Sequence, residues 1–109
     1  MADTDHTTRI VVFGNPDFAP SRRMLAMIRD LAALRSDFDV EHVDVWQNPD
    51  RGIDHDVMTV PTMIIFVDDE EQKRIGGLRS ARSLARVIDR IEPERALLHH
   101  SEMQTATAG

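Results

Sequence analysis

The sequence predicts an α/β domain, a mixed four-stranded sheet with helices on both faces in the order β-α-β-α-β-β-α. Three observations carry that expectation. Arg9–Gly14 (RIVVFG) and Thr62–Val67 (TMIIFV) are apolar, β-branched runs of strand length, as strands buried on both faces require. Apolar residues recur with helical period from Pro20 to Arg35 and again after Ser80. Strands separated by crossover helices imply parallel pairs, and the acidic turn Asp68–Glu71 closes an antiparallel hairpin.

Each element has a local cause. The first strand stops at Gly14-Asn15-Pro16, and Pro20 then opens a helix at a position where no N–H donor is needed. Met24, Leu25, Ile28, Leu31, Ala32 and Leu34 make its apolar face, opposite Arg22, Arg29 and Asp30. Val40–Val45 has strand composition. The segment from Trp46 to Asp56, with Asn48-Pro49 and Gly52, predicts a short helix or irregular crossover. Gln72–Ile75 returns as the fourth strand, and Gly76-Gly77 leads into a last helix from about Ser80 to Ile91 or beyond. Residues 9–98 form the expected domain, between a flexible segment at 1–8 and a disordered tail at 99–109.

Composition removes several functions. The chain of 109 residues has no cysteine, which excludes disulfides, thiolate metal sites and a cysteine nucleophile. A net charge of −6 argues against a dedicated nucleic-acid binder. No segment has the run of apolar residues a membrane span needs, and the polar start is not a signal peptide, so a cytoplasmic protein without membrane association is expected. Arg79, Arg82, Arg86 and Arg90 fall on one stripe of the last helix. They read as a solvated face balanced by acids such as Asp89 and Glu92, with an anion contact as the alternative. None of the five histidines shares metal-binding spacing with another ligand, so neither a metal nor a cofactor is expected. Asp54 and Asp56, around His55, read as solvated loop charges.

The element order, with Thr59-Val60-Pro61-Thr62-Met63-Ile64-Ile65-Phe66 opening the third strand, resembles the thioredoxin-like superfamily from about Arg9 to Glu92. The resemblance implies a cis bond before Pro61. It places the Cys-x-x-Cys motif on Phe18-Ala19-Pro20-Ser21, so both redox positions are lost and the active site is degenerate. It also puts Val12 where a buried Asp serves as proton relay, and Asp17 where an aromatic residue precedes the motif. Thiol exchange requires a thiolate; Phe18 cannot ionise, and a helix dipole worth ~1 kcal/mol does not activate the Ser21 hydroxyl. As a nucleophile Ser21 would need a histidine base within reach, so helix capping is its expected role.

Two further resemblances bear on function. Glutaredoxins bind glutathione partly through a Thr-Val-Pro and a later Gly-Gly, here Thr59-Val60-Pro61 and Gly76-Gly77. This implies a glutathione-dependent transferase using Ser21, against the plainer reading that the glycines permit a turn. The KaiB clock-protein family is similar more distantly, through Gly14-Asn15, Ser21-Arg22, Asn48-Pro49, Pro61-Thr62 and Arg74-Ile75-Gly76. That likeness implies a regulator of an ATPase partner, although KaiB proteins carry prolines where this chain has Phe66-Val67-Asp68-Asp69. The leading expectation is a non-catalytic module that binds a protein partner. Its groove comprises Phe18, Ala19, Pro20, Ser21, Val60, Pro61, Gly76 and Gly77, with Trp46 as a contributor. Phe18 either lines that groove or folds back onto the core; the sequence leaves both open.

Overall fold

The computed structural model describes residues 7–91. Most of the segment 1–8 and all of the tail 99–109 lie outside the described residues. The elements are β1 (Thr8–Gly14), α1 (Ala19–Arg35), β2 (Asp39–Asp44), α2 (Pro49–Asp54), β3 (Thr62–Val67), β4 (Glu70–Gly76) and α3, helical through residues 81–91. The sheet order is β2-β1-β3-β4, so β1 and β3 are the interior strands. No helix among the described residues is long and apolar enough to cross a membrane.

Strand alternation divides the core into two halves. Ile10 and Val12 of β1 and Met63 and Ile65 of β3 pack with Met24 and Ile28 of α1 and Leu84 and Ile88 of α3. Val11, Phe13, Ile64 and Phe66 point the other way and meet Val43, Val45 and Val57, on the side that α2 covers. The mixed sheet and its two covered faces follow the expectation from sequence.

One strand direction does not. β2 runs parallel to β1, with Gly14 opposite Asp44, but β3 runs antiparallel to β1, with Phe13 opposite Thr62. The six residues of α2 rise only about 9 Å, less than half the roughly 20 Å of a six-residue strand. Residues 45–61 instead fold as a turn, this short helix and an irregular stretch, and β3 starts at the end where β2 finishes. The Val60–Pro61 peptide bond is cis, and Pro61 itself is fully buried. The β3–β4 hairpin turns on Asp68 and Asp69, both at positive φ as a tight primed turn requires.

Local signals set the helix ends. α1 begins after Phe18, whose carbonyl accepts from the N–H groups of Ser21 and Arg22, and it ends on left-handed Ser36. The serine that caps a helix is Ser80, whose Oγ accepts from the Ser83 N–H at 3.1 Å. The apolar face of α1 is narrower than the sequence predicts, because Leu34 is 83% exposed while Met24 and Ile28 are buried. At about 100° per residue Leu34 points away from the line of Met24, Ile28 and Ala32 that meets the core. Met24→Ala is expected to cost about 2–5 kcal/mol of stability and Leu34→Ala less than about 0.5 kcal/mol, both read from urea denaturation midpoints. Comparable losses at the two positions would contradict this division.

Candidate functional site

The end of β1 at Gly14, the end of β2 at Asp44, the start of β3 at Thr62 and the end of β4 at Gly76 lie at one end of the sheet, and α1 begins there too. A side chain at Gly14 would place its Cβ 2.7 Å from Ser21 Oγ and 2.8 Å from Ser21 Cβ. Glycine therefore permits the first turn of α1 to press against β1. Ser21 is buried, and its Oγ accepts a hydrogen bond from the Asn15 N–H at 3.2 Å. Its hydroxyl closes the loop before the helix; it does not cap the helix, as the sequence led one to expect.

His42 Nε2 lies 3.7 Å from that same Cβ position. No hydrogen bond joins His42 to Ser21 among the described residues, and the hydroxyl is shielded from solvent. The geometry of an activated serine is therefore missing. Val12 is fully buried among apolar neighbours, so no proton relay stands behind the motif position. The described residues contain no cluster of acids or histidines able to hold a metal ion.

The expected groove residues separate into two groups. Ser21 and Pro61 are buried, whereas Phe18, Ala19 and Gly76 are exposed and Pro20, Val60 and Gly77 are half-buried. Phe18 is 44% exposed and belongs to neither half of the core, so it does not fold back onto the core. The concave surface beside Val60 has a volume of about 290 Å³, and Val45, Ile53, Val57, Met58 and Val60 supply its apolar lining. Phe18 and Trp46 do not line it; Trp46 is 75% exposed, on a turn held by its N–H to Asp44 Oδ1. Ile53 and Met58 are 70% and 89% exposed. Sequence reasoning missed both, although a lone apolar residue in a charged loop was the signal that marked them.

Gly76 and Gly77 have structural work. Gly77 has φ +85 and donates its N–H to the Pro61 carbonyl at 2.7 Å. Gly76 lies in the ladder opposite Thr62. The Gly77 amide is thus spent inside the protein, where the glutaredoxin-like reading needs it for a ligand carboxylate.

Charged side chains fix the groove's walls. Arg74 donates to the carbonyls of His55 and Asp56 and also to Glu71, tying β4 to the loop after α2. That hydrogen bond from Arg74 holds the Glu71 carboxyl below the usual carboxylate range. His55 packs between Phe13 and Phe66, tilted to one ring and edge-on to the other, with centroids 5.5 and 5.4 Å away. Glu41 joins Arg51 of α2 to Arg9 of β1. Its carboxyl is lowered chiefly by the hydrogen bond from Arg51, against the opposing effect of burial, with the Arg9 charge assisting.

A parallel β1–β2 pair, an antiparallel hairpin and a proline-led β3 facing the start of α1 define a thioredoxin-fold protein whose motif position holds no thiol. The thioredoxin family model matches residues 3–90, and the chain belongs to the thioredoxin family. A thioredoxin from Staphylococcus aureus is 29% identical over 72 residues, 65% of this chain and 69% of that protein. A mutant thioredoxin from Halobacterium salinarum superposes with a TM-score of 0.71 at 24% identity, over 80% of this chain and 76% of that one. Fasciola hepatica thioredoxin gives 0.72 at 24% identity, over 82% and 85%. These structural likenesses concern the fold. This chain has no cysteine and so no thiol of its own for disulfide exchange.

Glu41 supplies a pH test of the groove wall. Its folded-state pKa is depressed, so its pairing stabilises the fold above the unfolded carboxylate's titration and is lost as pH falls through the folded value. Glu41→Gln is expected to lower stability near neutral pH by less than about 1 kcal/mol, since the pair is partly exposed. The difference should close below about pH 4, read from urea midpoints across pH. A gap that does not change with pH would contradict the pairing.

Proposed function

We propose that this chain is a redox-inactive binding module that receives an extended segment of a protein partner along the open backbone at Val60. The observation that carries this reading is the state of the backbone beside the groove. The Thr59 carbonyl accepts from Thr62 Oγ1 at 2.6 Å, and the Pro61 carbonyl accepts from Gly77. Among the described residues, the N–H and C=O of Val60 between them take no hydrogen bond. A half-buried residue with both backbone groups open is an edge on which an extended peptide pairs, as in strand addition. Ile53 and Met58 flank it with apolar surface of the kind a partner covers.

The reading replaces the expected groove centred on Phe18 to Ser21 with one centred on Val60 and Met58, and keeps Phe18 as an exposed rim. The thioredoxin relatives supply the fold; the lost cysteines and the buried Ser21 support binding without catalysis.

Panning a random peptide library on the native chain is expected to recover peptides that lose at least roughly tenfold in affinity on Met58→Asp or Ile53→Asp. Peptides held equally by both variants would remove the groove as the site. If the cellular partner proved to be an ATPase, the reading would move toward a KaiB-like regulator.

A further inference from the structure

The charge on this protein is divided between its faces. Together, α1, α3 and Arg79 carry eight arginines and two aspartates, in a chain of net charge −6. Residues 36–78 carry eleven acids against Arg51, Lys73 and Arg74. Both helices pack on the same half of the core and are joined by the Arg35–Asp89 ion pair, so the arginines belong to one layer.

That ion pair engages Asp89 with α1, and Glu92, the other acid expected to balance the α3 stripe, lies outside the described residues. Arg79, Arg82, Arg86 and Arg90 are all exposed, and none has an ion pair or side-chain hydrogen bond among the described residues. Exposed Arg23 and Arg29 on α1 are likewise without one. Lys73 of β4 borders the same surface, lining a small hollow with Val87, Arg90 and Ile91. Arg35 within the layer, and Arg9, Arg51 and Arg74 outside it, all bind carboxylates, so among the described residues the arginines without a carboxylate partner lie in this layer.

We infer that the arginine stripe of α3 is a second docking surface, for an acidic segment of a partner protein. Arg82, Arg86 and Arg90 are spaced about 6 Å apart along the helix, close to the roughly 6.7 Å between alternate residues of an extended chain. Acids at every second position of such a segment meet successive guanidinium groups, each able to hold a carboxylate with two hydrogen bonds. A polynucleotide fits less well. Its continuous charge meets the acidic remainder of the molecule, and neither helix carries an aromatic side chain for a base to stack on. A membrane surface fits poorly too, since Leu34 is the one large exposed apolar side chain on the described part of α1 and α3.

The test is a titration of fluorescein-labelled deca-glutamate with the full chain at low ionic strength, followed by anisotropy. Saturable binding that disappears in high salt is expected. Arg86→Glu should weaken it roughly threefold and R82E/R86E roughly tenfold. Q47E/Q72E adds the same net charge as Arg86→Glu at exposed positions off the stripe, and should leave binding unchanged. Met58→Asp, which alters the Val60 groove, should also leave it unchanged, which separates the two surfaces. Equal weakening by Q47E/Q72E would reduce the effect to net charge and overturn the proposal, as would no binding at all. Tighter binding of oligo-dT, of phosphatidylserine vesicles or of a second copy of the chain than of deca-glutamate would also overturn it.

Discussion

The arrangement depends on burying β1 on both edges and both faces. β2 pairs with it in parallel and β3 antiparallel, and its four central side chains, Ile10 to Phe13, supply both halves of the core. A strand so placed is apolar throughout, which is why RIVVFG has no polar alternation. Its end at Gly14 then becomes the one point where α1, β2 and β3 converge. Because Gly14 has no side chain, the first turn of α1 closes against the strand with Ser21 inward and Phe18 outward. The groove at Val60 lies at this same end because β3 starts beside the end of β1.

The same packing explains why the fold persists without thiol chemistry. At the motif position a buried hydroxyl bonds to Asn15 and an exposed phenyl ring marks the rim, while Val12 fills the core where a carboxylate would be costly to bury. None of these groups can donate or accept electrons. What is left at the site is shape, apolar surface and one open stretch of backbone. A fold carries no activity by itself.

Much of the fold was legible because its signals are local and strong. Thr62–Val67 is a strand to the residue, since six consecutive apolar or β-branched residues have no other place in a small domain. The start of α1 was readable from Pro20. The direction of β3 was not, because it depends on the path of residues 45–61, and Trp46–Asp56 has no periodicity from which to read that path. The site was legible in its location and less so in its lining. Of the residues the resemblance named, Phe18 is exposed and Val60 and Gly77 are half-buried, but Ser21 and Pro61 turn inward. Ile53 and Met58 became groove residues only when α2 and the following loop folded beside Val45. The packing of His55 between Phe13 and Phe66 had no signal in the sequence.

The central claim is that the open backbone of Val60 pairs with an extended peptide. The direct measurement is the amide spectrum of the ¹⁵N-labelled chain with a peptide recovered by panning. A hydrogen bond from the Val60 N–H to the peptide predicts a downfield shift of that amide proton, the largest among the groove amides, with slowed hydrogen exchange. A saturated complex in which the Val60 amide neither shifts nor gains protection would contradict the account.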